Sequence, residues 1–140
     1  MIVIDASLAA KLVIEEDDSD YADAWFGALI DQVVAPDLIA IEVSQAIVRR
    51  INMREISPPD GRRALHVWRD ILAQGGITLF RTDPVQAGSA AELAISLGHP
   101  VKDCVYLELA IAHAGLLVTA DAQFHARASP RFPMVELFGS

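Results

Sequence analysis

The sequence predicts an α/β fold: a three-layer α/β/α sandwich around a central, mostly parallel sheet of four to five strands. Two observations carry this. Short runs rich in Val, Ile and Leu recur along the chain, and longer stretches with apolar residues at helical spacing separate them. That alternation builds parallel sheets through crossover helices. In addition, a helix is expected from Val105 to Ala114, where only Glu108 and His113 can carry charge near neutral pH. A helix apolar on nearly every side packs inside a domain, against a sheet.

The elements follow in order. Met1 to Ile4 is apolar and ends at Asp5, a first strand. Helical spacing starts after Ala6-Ser7, with Leu8, Leu12 and Val13 at core positions, so Asp5 and Ser7 lie at the carboxyl end of that strand. Helix capping would account for either of them alone. The acidic run Glu15 to Asp20 reads as a solvated loop, and Tyr21 to Ile30 as a helix through Ala22, Trp25, Phe26 and Leu29. Val33-Val34-Ala35 is a second strand that stops at Pro36. A helix from Leu38 to Ile51 sets Ile39, Val43, Ile47 and Ile51 on one face. Glu42 sits at the edge of that stripe, on the same end of the domain as Asp5, although a lone acid there is also what an exposed position looks like.

Ser57-Pro58-Pro59-Asp60 starts a helix with proline in its first turn. Leu65, Trp68 and Leu72 point inward from it, Arg62, Arg63 and Arg69 mostly outward, and Gly75-Gly76 closes it. Ile77 to Phe80 is a third strand. Asp83-Pro84 opens a helix, Val85 to Leu97, that Gly98 ends. His99 to Asp103 is then a loop that brings Asp103 to the mouth of the buried helix, which Gly115 terminates. Leu116 to Thr119 is a fourth strand, Asp121 follows it, the polar run to Ser129 is a loop, and Met134 to Leu137 is an edge strand.

Hydrophobic content of 53% in 140 residues suffices for one core, so a single domain spanning 1–140 is expected. No run of 18 apolar residues suggests a membrane span, and the N-terminus lacks a basic start and long apolar segment, so a cytoplasmic protein is expected. One cysteine, Cys104, excludes an internal disulfide and a cysteine-rich zinc site, and it reads as a core filler. The net charge of −8 argues against nucleic acid, but its distribution is uneven: residues 49–81 hold seven arginines against three acids. Arginine suits bidentate phosphate contacts; a solvated helical face or a patch for an acidic partner segment fits as well.

In parallel α/β sheets, ligands gather outside the carboxyl ends of the strands at the switch in strand order. Asp5 and Asp121 fall there, and the helix behind Asp103 enters from the same side. If these and Glu42 converge, each pair repels by about 4 kcal/mol at an effective dielectric near 20. Either their pKa values rise or a cation neutralises them. An all-oxygen, acid-rich set suits Mg²⁺ or Mn²⁺ rather than zinc, and the four histidines show no paired zinc spacing. Such an ion, with open positions, most often meets phosphate oxygens and activates water.

At these residues the chain resembles the PIN-domain family and, within it, the VapC-type ribonuclease toxins of toxin–antitoxin modules. Four motifs carry the resemblance in order. They are Ile2-Val3-Ile4-Asp5-Ala6-Ser7, then Ala35-Pro36 to Glu42-Val43. His99-Pro100-Val101-Lys102-Asp103 with Tyr106 and Leu109-Ala110 follows, then Leu117-Val118-Thr119-Ala120-Asp121 with Phe124. The resemblance implies Mg²⁺- or Mn²⁺-dependent endoribonuclease action on RNA, a homodimer, and inhibition by a cognate antitoxin. It implies metal-binding and catalytic roles for Asp5, Glu42, Asp103 and Asp121, with Ser7 and Thr119 in support. Gln45 stands where many relatives have asparagine. A housekeeping RNA-processing nuclease of the same fold and a catalytically silent binding module are the alternative functions. An antitoxin groove is expected among the apolar and arginine-bearing helices between Leu38 and Ala73, with Trp68 in it or simply in the core.

Overall fold

The computed structural model describes residues 1–140. Five strands alternate with seven helices: β1 (Ile2–Ile4), α1 (Ala6–Ala10), α2 (Ser19–Ala28), β2 (Val33–Pro36), α3 (Leu38–Asn52), α4 (Pro58–Ala73), β3 (Thr78–Phe80), α5 (Pro84–Leu97), α6 (Val101–Ala112), β4 (Leu116–Thr119), α7 (Ala122–Ala128) and β5 (Val135–Leu137). The sheet order is β3-β2-β1-β4-β5, and all four pairings are parallel. The sequence reading allowed a mostly parallel sheet; the observed one has no antiparallel edge.

Every residue of β1 and β2 is buried, so both faces of the sheet centre are covered. This is why these strands read as continuous apolar runs rather than as alternating ones. The edges differ: Thr78 and Leu79 of β3 and Glu136 of β5 are exposed. A core of 25 buried residues runs from Ile2 to Val135 and includes Leu8, Ile39, Ile47, Leu107 and Phe124. Trp68 is in it, 2% exposed, with Nε1 donating to the Ala40 carbonyl at 3.2 Å. That places it in the α3–α4 packing and takes it out of any open groove. Cys104 packs with Ala90 and Ala94 between α5 and α6, as a core filler should. No helix is long and apolar enough to cross a membrane.

Several boundaries differ from expectation. α6 begins at Val101, four residues earlier than the sequence reading placed it, because Pro100 supplies the extended residue that precedes a helix. Asp103 therefore lies within its first turn. α6 ends at Ala112, and the left-handed residue beyond it is Ala114 (φ 50°) rather than Gly115. The polar run after Asp121, expected as a loop, is helix α7. Its only buried residues are Phe124 and Ala128, one turn apart, which is too little for an apolar periodicity to register. α2 starts inside the acidic run, at Ser19. α1 is only five residues long, so Leu12 and Val13 lie beyond it.

Candidate active site

β1 leads to β2 and β3 on one side, and the chain then returns to lay β4 on the other side of β1. The crevice between the carboxyl ends of β1 and β4 is the switch point of this sheet. Asp5 follows β1 directly and caps α1, its Oδ1 accepting from the Leu8 N–H at 3.1 Å. Asp121 stands two residues past β4 and caps α7, its Oδ1 accepting from the N–H groups of Gln123 (3.0 Å) and Phe124 (3.1 Å). Asp103 comes from the first turn of α6, and Glu42 from the early turns of α3. All four residues line one open cleft of about 520 Å³, together with Ser7, Glu16, Gln45, Arg49, Arg50, Lys102 and Tyr106. Side chains up to 116 positions apart in sequence thus share one wall.

A hydroxyl network ties the two strand ends together. Ser7 Oγ donates to Asp5 Oδ1 at 2.6 Å, and Thr119 Oγ1 donates to Asp5 Oδ2. Ser7 Oγ accepts from the Ala120 N–H, and Thr119 Oγ1 from the Asp121 N–H, both at 3.0 Å. Burial nonetheless dominates at Asp5, which is 6% exposed. It pushes the carboxyl up to about 6, with a smaller contribution from Asp103, against hydrogen bonds that favour the ionised form. Glu42 is held from two directions: the Tyr106 hydroxyl donates to Oε1 at 2.7 Å, and Lys102 Nζ lies 3.7 Å from Oε2. Burial, and then the bond to Glu42, drives the Tyr106 phenol far above its ordinary pKa, so it remains a donor. Ion pairs link the rim of the cleft, from Lys11 to Glu16 (2.8 Å) and from Glu16 to Arg50 (2.9 Å).

His99 was not singled out as a site residue from the sequence. It is packed beside the acids, 2.6 Å from Asp103 Oδ2 through Nε2. His99 lies before Pro100, outside α6, so the turn rather than a helical spacing brings it to Asp103. Donor atoms of His99, Asp103 and Asp121 lie within 4.8 Å of one another. This cluster, with the buried Asp5 carboxylate on the same wall, fits a divalent cation, because the donors are predominantly carboxylate oxygens gathered at one crevice. Glu42 faces the cleft from the Tyr106–Lys102 side and is outside that tight cluster.

The PIN-domain family model matches residues 2–129. No curated protein sequence matches the chain significantly. Among solved structures, it is similar to Mycobacterium tuberculosis VapC20, a sarcin–ricin loop cleaving toxin, with TM-score 0.74 and 15% identity over 91% of this chain and 95% of that one. It is also similar to a toxin–antitoxin complex from Klebsiella pneumoniae (TM-score 0.65, 15% identity, 96% and 95% covered). A third likeness is to FitAcB from Neisseria gonorrhoeae (TM-score 0.65, 16% identity, 99% and 96% covered). At such identity the structural likenesses speak for the fold, and the family match runs from β1 through α7, across all four acids. The chain belongs to the PIN-domain family.

Proposed function

We propose that this protein is a divalent-metal-dependent endoribonuclease acting as the toxin of a toxin–antitoxin pair. The observation that carries the reading is the convergence of Asp5, Glu42, Asp103 and Asp121 on one cleft at the switch point. Family membership and the toxins among the similar structures support the same reading. RNA is the proposed substrate, a cognate antitoxin and a second copy of the chain are the proposed partners, and the cytoplasm is the proposed location.

Mg²⁺ or Mn²⁺, held by Asp5, Asp103 and Asp121, would supply positive charge to the scissile phosphate and lower the pKa of an attacking water. The chain's own groups then have distinct tasks. Ser7 and Thr119 hold both oxygens of Asp5 and so fix its orientation. The backbone N–H groups at the start of α7 hold one oxygen of Asp121 and leave the other free. Glu42, clamped by Tyr106 and Lys102, presents a carboxylate that can orient water and take its proton. Arg49 on the cleft wall offers a guanidinium to a neighbouring phosphate.

Incubating the protein with RNA and Mg²⁺ tests this. Cleavage is expected, abolished by EDTA, and reduced by at least about a hundredfold in Asp103→Asn, which keeps the shape and removes the charge. Cleavage that survives EDTA, or an Asp103→Asn variant as active as the parent, would sink the proposal.

A further inference from the structure

Resting on the reading of the cleft as a ribonuclease site, we propose that it continues along α3 to a second phosphate subsite at Arg49, so that its substrate is an RNA strand of several nucleotides and not a dinucleotide. From α3, the cleft is lined by Glu42, Gln45, Ala46, Arg49, Arg50 and Met53. Their spacing of three and four is that of one helix face, so α3 walls the cleft from its early turns to its C-cap. At 1.5 Å per residue that wall is about 16 Å long.

Three cations line the cleft, and two of them are engaged. Lys102 Nζ lies 3.7 Å from Glu42 Oε2. Arg50 is held between two acids, with Nη2 at 2.9 Å from Glu16 Oε1 and Nε at 3.2 Å from Glu55 Oε2. Arg49 is exposed, lines the same cleft and forms no ion pair. Both arginines sit in the last turn of α3, where a cation complements the helix dipole. Arg50 meets that need too, so the dipole does not explain why Arg49 stands free in the cleft.

The place of Arg49 suits a strand better than a single group. It follows Glu42 by two helical turns, about 10 Å along the axis. Its guanidinium pairs with none of Asp5, Glu42, Asp103 and Asp121, so it is not folded back onto the acids. One phosphate cannot lie against both ends of this wall, whereas successive phosphates of one strand can. Met53, one turn beyond Arg49 and 56% exposed, offers a base an apolar surface on the same face. An acidic protein segment would also satisfy a guanidinium. RNA is favoured because the same face of α3 leads from Arg49 to the acids that act on the phosphodiester. A contact of this kind positions the strand without reading its sequence.

Initial rates of Mg²⁺-dependent cleavage test this, on random-sequence single-stranded RNA of about twelve nucleotides, within the span that such grooves hold. Arg49→Gln should raise KM about tenfold, with the loss on KM rather than on kcat. It should also lower the slope of log KM against log salt by about 0.7, the share of one phosphate contact. Arg49→Lys, which keeps the charge, should recover most of that slope. Arg62→Gln removes the same charge from α4, outside the cleft, and should change neither quantity. Dinucleotides, with a single phosphodiester, should be cleaved by the parent with lower kcat/KM, and Arg49→Gln should not lower it further. The proposal is overturned by an unchanged KM and salt slope in Arg49→Gln, by a loss confined to kcat, or by an equal effect of Arg62→Gln. Dinucleotides cleaved as efficiently as the longer strand overturn it as well. A parent protein that cleaves no RNA is a different failure: it overturns the ribonuclease reading itself.

Discussion

Asp5 occupies a place that disfavours its charge. Its carboxyl is raised from 3.8 to about 6, chiefly by burial. Between those values the folded chain binds more protons than the unfolded one, so the stability of the metal-free protein falls as pH rises through that window. A shift of this size corresponds to about 3 kcal/mol, lost in full above about pH 7. Asp5→Asn should therefore gain stability relative to the parent as pH rises from 4 to 8, and saturating Mg²⁺ should narrow the gap. Urea unfolding across that range measures it, and a difference that does not move with pH contradicts it. The acids themselves were legible in the sequence, because Asp5 and Asp121 follow strand-like runs and Asp103 opens a helix. Their partners were less so. Tyr106 meets Glu42 from 64 positions away, a pairing that no local spacing encodes. His99 lies before Pro100, outside α6, so its meeting with Asp103 depends on the turn and not on a helical spacing.

At the scale of elements, the α6–β4 connection gives two neighbouring residues different tasks. Gly115 reads as the residue that ends the helix, yet the left-handed conformation belongs to Ala114. Gly115 serves a different need: a Cβ there would lie 2.8 Å from the Met1 carbonyl oxygen, where the start of β4 passes the start of β1. The two positions should respond oppositely. Ala114→Gly should stabilise by about 1 kcal/mol by relieving the left-handed cost of a Cβ. Gly115→Ala should destabilise by about 1–3 kcal/mol, because backbone rather than a flexible side chain must move. Equilibrium unfolding of both variants decides, and a stabilising Gly115→Ala would refute the assignment. Helix α7 escaped the sequence reading for a related reason. Seven residues with two buried positions carry little periodicity, and Asp121, which caps the helix, was noted for its place beside a strand.

For the molecule as a whole, the strand order β3-β2-β1-β4-β5 makes the site. A sheet laid down in strictly sequential order would leave no crevice between β1 and β4. The fold class was legible because all-parallel sheets need crossover helices and covered faces, which leave apolar runs and helical spacing in the sequence. Strand order was not legible, since nothing local says on which side of β1 the chain lays β4. The uneven charge also takes on meaning only in three dimensions. Arg49 and Arg50, from the basic middle of the chain, lie on the same cleft as the four acids, with Arg50 tied to Glu16 and Glu55. Trp68, buried between α3 and α4, is a probe of the core and leaves partner binding to exposed residues. The central claim is that chain-distant carboxylates share one cation at this crevice, and Mn²⁺-soaked crystals test it most directly. Anomalous difference density is expected among Asp5, Asp103 and Asp121 in the parent and absent in Asp103→Asn. A cleft without density, or manganese bound elsewhere on the surface, would contradict the account.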